Sequence, residues 1–119
     1  DFYFVGRKKI EATIGEYFGN TIPEFPPVSE SLVMNNCPNL SSLPEFPTNV
    51  KEMWIIRCPN LEAIPVFPAG LQYLNMSSCD NLTDIPKLPS SLERLDINHW
   101  ANLTKETRDR IEEFNNKQS

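Results

Sequence analysis

The sequence has few of the residues that several common functions require. It contains four glycines and one histidine among 119 residues, and no apolar run approaches the ~18 residues of a membrane-spanning helix. It has no phosphate-cradling glycine pattern, nucleophile elbow or zinc-ligand spacing. Its 16 acidic residues outnumber its 11 basic ones, and the net charge of -5 disfavours nucleic acid and anionic lipid. These absences exclude a membrane span and leave no signal for catalysis.

The N-terminus lacks both a Met and the charged-then-apolar pattern of a secretory signal. We therefore expect a piece of a longer or processed chain. Apolar residues make up 39% and charged residues 23% of the sequence, an ordinary balance for one soluble globular domain.

Proline, by contrast, is abundant, and its 11 residues are periodic. Several residue types recur with one spacing of 21 positions. The ladders are Pro23, Pro44, Pro65 and Pro86; Pro26, Pro47, Pro68 and Pro89; Cys37, Cys58 and Cys79; Asn39, Asn60, Asn81 and Asn102; and Leu40, Leu61, Leu82 and Leu103. One shared period indicates that each 21-residue unit is one coil of a repeat structure.

The unit from Leu71 to Ser91 reads L-x-x-L-x-M-x-x-C-x-N-L-x-x-I-P-x-L-P-x-x. Its L-x-M core alternates apolar and polar residues, as a strand with one buried face requires. The paired prolines cannot continue a helix, so the segment around them should be extended. We predict an α/β solenoid of about four 21-residue coils, with a parallel concave sheet and an extended, polyproline-like convex side.

Both ends of the stack are expected to carry helical caps. Ile10, Ile14 and Phe18 recur with helical spacing. At the other end, an apolar stripe is formed by Leu103, Ile111 and Phe114, and Thr104 is a possible N-cap. The predicted divisions are an N-terminal helical cap over residues 1–21, repeats over 22–103 and a C-terminal capping helix over 104–119.

The cysteine and asparagine ladders are both expected to point into the core. Coils spaced by ~4.8 Å place the thiols in a parallel column, which cannot converge on a tetrahedral metal. His99 stands one position before this column, so no Cys-His dyad follows. The asparagines would satisfy turn backbone groups. We predict no catalytic residue, no metal and no cofactor, and reduced thiols indicate an intracellular compartment.

The repeat resembles the leucine-rich repeat. The doubled prolines in "LPEFP", "IPVFP" and "IPKLP" resemble the short-repeat class of bacterial type III effectors of the IpaH and YopM kind. This resemblance implies a protein-binding module secreted by bacteria into a host cytoplasm. It also leaves open the alternative that the chain is the substrate-recognition part of a leucine-rich-repeat ubiquitin-ligase effector, whose catalytic domain would lie outside this sequence. The segment "RCPNLEAIP" resembles plant intracellular immune receptors, which implies an alternative origin as a receptor fragment.

The outward residues of the strands are the expected partner-binding surface. They include an apolar pair of a Trp and an Ile, flanked by the aromatic and Arg residues that are common in binding hot spots. The predicted partner-binding residues are Glu52, Trp54, Ile56, Arg57, Tyr73, Asn75, Arg94 and Asp96. The alternative is that Trp54 packs under an adjoining cap or a neighbouring domain, or merely covers the sheet. We expect a monomer that binds a protein, and neither nucleic acid nor a membrane.

Overall fold

The computed structural model describes residues 3–5, 11–15, 17–25, 30–98 and 102–117. Its elements are β1 (Tyr3–Val5), β2 (Glu11–Gly15), β3 (Ser31–Asn35), β4 (Glu52–Ile56), β5 (Tyr73–Ser77), β6 (Arg94–Asn98) and α1 (Lys105–Lys117). The six strands form one sheet in chain order. In the described part of the chain, no helix is long and apolar enough to cross a bilayer.

The strands β2 to β6 run parallel, and their register follows the sequence period. Ser31 pairs with Glu52, Glu52 with Tyr73, and Tyr73 with Arg94, so each step along the sheet is one repeat. The predicted parallel-sheet solenoid of about four coils is thereby confirmed. Because residues at one repeat position stack in register, a sequence ladder becomes a column of neighbouring side chains.

The prediction of an N-terminal helical cap is wrong. Residues 11–15 form a strand that pairs with β3 in parallel, at a step of 20 residues from Glu11 to Ser31. Ala12 and Ile14 are buried in the core, while Phe18 is 56% exposed and Ile10 lies outside the described residues. Strand β2 pairs with the backbone N–H and C=O groups on the edge of β3, which a helix would have left unpaired. Strand β1 then pairs with β2 in antiparallel orientation.

The core lies behind one face of the sheet. On β3, β4 and β5 the second and fourth residues are buried and the others are partly exposed. These buried residues stack with the leucines that follow each turn, which are also fully buried. The largest fully buried side chains are Ile14, Leu32, Met34, Leu40, Val50, Met53, Ile55, Leu61, Leu71, Leu74, Met76 and Leu82.

A ladder of phenylalanines forms part of the same core. Phe25 and Phe46 stack with ring centroids 5.6 Å apart, and Phe46 and Phe67 stack at 6.3 Å. These distances fall in the range of favourable offset stacking. The connecting segments 36–51, 57–72 and 78–93 contain neither helix nor strand, in agreement with the proline pattern. The phenylalanines hold these segments against the core, although they lack a backbone ladder of their own.

One residue after each of three strands has a left-handed backbone. Asn36, Arg57 and Ser78 have φ values of 62°, 55° and 56°. This conformation turns the chain sharply, so that the cysteine in the next position points into the core. Asn tolerates the left-handed region better than most other residues with a Cβ atom. Arg57 and Ser78 therefore adopt it at a greater cost than Asn36.

The asparagine ladder does not point into the core, and that expectation is wrong. All four asparagines are exposed. Their hydrogen-bonding role is nevertheless present, because Asn39 Nδ2 donates to the carbonyl of Phe18 at 3.0 Å and Asn102 Nδ2 to that of Asp80 at 2.8 Å. Both bonds join a turn to the preceding coil. A short polar side chain can make this link from the surface.

The predicted C-terminal helix is confirmed as α1. Thr104 is its N-cap, since Thr104 Oγ1 accepts a hydrogen bond from the amide of Thr107 at 3.3 Å. Ile111 and Phe114 pack against the core. The hydroxyl of the fully buried Thr107 donates to Asp84, and Arg110 also contacts Asp84, with Nη2 2.6 Å from Oδ1. The helix is thus tied to the last complete coil.

We predict a pH-dependent contribution from Asp84. The hydrogen bond from Thr107 and the nearby Arg110 guanidinium lower the pKa of its carboxyl group. A carboxyl group whose pKa is lower in the folded than in the unfolded chain stabilises the fold at pH values above its unfolded pKa of about 3.9. This stabilisation is lost as the pH falls through the folded-state pKa. The melting temperature of Asp84→Asn should therefore lie below that of the parent chain at pH 7, and the difference should be smaller at a pH of about 2. A constant difference at both pH values would contradict this.

Candidate functional site: the open sheet face

One face of the sheet points away from the core, and we call it the open sheet face. Its twelve residues on β3 to β6 are all partly or wholly exposed in the described chain. They are Ser31, Val33, Asn35, Glu52, Trp54, Ile56, Tyr73, Asn75, Ser77, Arg94, Asp96 and Asn98. Strand β2 continues the same columns through Thr13 and Gly15 by its register with β3.

Two aromatic rings meet at the centre of the open sheet face. The ring centroids of Trp54 and Tyr73 are 5.1 Å apart, and the ring planes are inclined by 56°. The two residues are diagonal neighbours, because Trp54 pairs directly with Asn75 and Tyr73 with Glu52. Such cross-strand contacts add to sheet stability, and they restrict the rotation of both rings. The result is an apolar platform with a defined orientation.

Tyr73 is held in place by polar neighbours. Its hydroxyl donates to Asp96 Oδ2 at 2.9 Å and accepts from Asn75 Nδ2 at 2.9 Å. Burial raises the pKa of the phenol, and the Asp96 carboxylate acts in the same direction. The hydroxyl therefore stays protonated at neutral pH, and it is a hydrogen-bond donor rather than a base.

Arg94 completes this cluster. Its guanidinium carbon lies 5.4 Å from the centre of the Tyr73 ring, a cation–π distance. Its Nε is 3.3 Å from Asp96 Oδ2. Arg94, Asp96, Asn75 and Tyr73 thus form one connected group that supports the Trp54 ring from one side. We call these four residues the buttress.

Arg57 lies at the rim of the face, directly after β4. It is exposed, and its Nη1 donates to Asn35 Oδ1 at 3.4 Å, a long bond to a neutral group. Asn36 and Ser78 make the equivalent turn in neighbouring coils without a long side chain. The turn therefore does not need the guanidinium of Arg57.

The eight residues predicted from sequence all lie on or beside this face, but in different environments. The structure brings Trp54, Tyr73, Asn75, Arg94 and Asp96 into contact. It places Glu52 and Ile56 at the two ends of β4 and Arg57 at the rim. Sequence reasoning missed Asn35 as the partner of Arg57, and it missed the extension of the face onto β2.

The cysteine column has the environment of a structural element. Cys37, Cys58 and Cys79 are unpaired and buried, as predicted from their ladder. Burial raises the pKa of Cys79 to about 11, and interaction with Cys37 together with burial raises the pKa of Cys58. A protonated thiol with no access to solvent is a poor nucleophile, and this describes Cys58 and Cys79. The side-chain hydrogen bond with Cys58 lowers the pKa of Cys37 to about 7, but this thiol is also fully buried. Among the described residues, no three His, Cys, Asp or Glu side chains cluster so as to hold a metal ion.

Arg57→Asn should stabilise the fold. Asn accepts the left-handed conformation at lower cost than Arg, and the turn at Asn36 shows that it fits this position. We expect a gain of about 0.5–1 kcal/mol, measured by urea denaturation. Ser78→Asn, at the same turn position one coil on, is the matched control, because it makes the same backbone change without removing the bond to Asn35. It should give a similar gain. A loss of stability in Arg57→Asn would show that its bond to Asn35 outweighs the strain.

Comparison of the chain with protein-family models, curated proteins and solved structures returns no match in any of the three.

Proposed function

We propose that this chain is a non-catalytic module that binds a partner protein on the open sheet face. The observation that carries the proposal is the aromatic platform of Trp54 and Tyr73. The other buttress residues, Asn75, Arg94 and Asp96, hold Tyr73 in place. A rigid aromatic anchor loses little conformational entropy on binding, and Trp, Tyr and Arg are the residues most enriched in binding hot spots.

We further infer that the repeats are of the leucine-rich class, with a concave binding face, and form the recognition domain of a secreted bacterial effector. The 21-residue unit with its L-x-M strand core and doubled prolines supports this assignment. Free, buried thiols support a reducing compartment such as a host cytoplasm. The partner is then a host protein.

Trp54→Ala should remove binding. In a pull-down from host-cell lysate, we expect the parent chain to capture a protein that Trp54→Ala does not, because losing a central anchor costs about 2 kcal/mol or more, roughly thirtyfold in affinity. Val66→Ala is the matched control, since Val66 is an apolar residue 80% exposed between β4 and β5, away from the open sheet face.

The two variants should be compared at equal folded fraction. Val66→Ala should capture the same protein as the parent chain. Equal capture by Trp54→Ala would refute the proposal and assign the ring to sheet stability alone. Arg94 is unsuited to this test, because its removal would also release Asp96 and Tyr73.

A further inference from the structure

The charged residues around Trp54 fall into two groups, and the first is satisfied within the chain. Arg94 and Asp96 pair with each other, and both contact Tyr73. A partner would have to break these contacts to use either charge fully. Their role is therefore to hold the aromatic platform.

The second group consists of Glu52 and Arg57, which bracket the apolar centre. Neither residue forms an ion pair with any residue that the structure describes. Glu52 begins β4 and Arg57 directly follows its end, so about 16 Å of strand separates them. This exceeds the screening length of about 8 Å at physiological salt, so the two charges do not neutralise each other. Each is available to an external charge of opposite sign.

The apolar side chains between these charges form a continuous strip. Trp54 and Ile56 point to the same side of β4, and Val33 is the cross-strand neighbour of Trp54 on β3. All three are only partly buried. The strip therefore runs from the negative Glu52 through two apolar side chains on β4. It ends at the positive Arg57, whose guanidinium lies beside Asn35 on β3.

We propose that the partner contributes an extended peptide segment that lies along β4 with the complementary order of side chains. A basic side chain faces Glu52, apolar side chains cover Trp54 and Ile56, and a carboxylate faces Arg57. This inference rests on the proposed function and adds the chemistry of the bound segment. The apolar centre supplies affinity, and the two terminal charges fix the direction of the segment.

The turn at Arg57 supports this role for its charge. A left-handed Arg costs stability, and short polar residues make the same turn at Asn36 and Ser78. A segment bound in the opposite direction would place its acidic side chain against Glu52 and its basic side chain against Arg57. Repulsion between these like charges disfavours that orientation.

The test is selection from a random 16-residue peptide library displayed on phage, panned on the full chain and on Glu52→Arg/Arg57→Glu. Melting curves first establish that both proteins are folded. We expect the parent chain to enrich peptides with one basic and one acidic residue about five positions apart, in a single order, around apolar residues. The charge-swapped variant should enrich the opposite order. A synthetic peptide selected on the parent should bind the swapped variant at least tenfold more weakly.

Trp54→Ala separates this inference from the proposed function. Enriched peptides that need Trp54 but lack a charge order would overturn the inference and leave the proposed function standing. Charges spaced about ten residues apart, as on a helix, would also overturn it, as would no enrichment at all. Enriched peptides that bind Trp54→Ala as well as the parent chain would overturn both.

Discussion

Removing residues 105–119 should abolish cooperative thermal unfolding. Ile111 and Phe114 cover the last coil of the core, and Thr107 is fully buried. Because both apolar side chains are only half-buried, they contribute roughly 1–1.5 kcal/mol each, and the bonds to Asp84 add to this. A sum of about 3–5 kcal/mol is a large part of the whole stability of a small domain. Circular dichroism during heating should show a broad, non-cooperative loss of signal.

Point variants on α1 distinguish the loss of packing from the loss of chain length. Ile111→Ala combined with Phe114→Ala should lower the free energy of unfolding by about 3 kcal/mol, since both side chains are only half-buried. Glu112→Ala lies on the exposed side of the same helix and should change it by less than about 0.5 kcal/mol. A truncated chain that still melts in one sharp transition would show that the coils are stable without this cap.

Ile55→Ala should cost about 3–4 kcal/mol, while Ile56→Ala should cost about 1 kcal/mol or less. The two residues are chemically identical neighbours on β4, but Ile55 is 0% exposed in the core and Ile56 faces the open sheet face. A buried Ile loses its transfer free energy and also leaves a cavity when it is truncated, and close stacking against β3 and β5 limits collapse around that cavity. Urea denaturation of both variants measures the difference.

This pair also tests the assignment of the two faces of the sheet. Because side chains alternate along a strand, a register shift of one residue would exchange the two effects. Equal losses for both variants would mean that the open sheet face is covered. Ile56→Ala should in addition weaken partner binding, which Ile55→Ala should affect only through the folded fraction.

The sheet could be predicted because its register is the same as the sequence period. Cys37, Cys58 and Cys79 are equivalent positions in sequence and become stacked neighbours in space, so a one-dimensional ladder contains the three-dimensional arrangement. Strand β2 could not be predicted in this way. Its step is 20 residues, and Ile10, Ile14 and Phe18 also fit a helix. The choice was decided by hydrogen bonding to β3, which is a non-local contact.

The composition of the site could also be predicted, but its organisation could not. Alternation on β4 and β5 places Trp54 and Tyr73 on one face. The contact between the rings and the position of Arg94 over Tyr73 depend on side-chain rotamers, which no spacing rule specifies. The asparagine ladder shows a related limit, because recurrence indicates a shared role but not whether the side chain is buried.

The parallel register has a mechanical consequence. In the described sheet, each strand is hydrogen-bonded to the strands before and after it in the chain, so tension that separates the two ends of the stack loads one interface at a time. The strand pairs then separate one after another rather than all at once. Each separation releases one 21-residue coil, which is about 70 Å long when extended. A protein built in this way yields in small steps under tension and absorbs work at each of them.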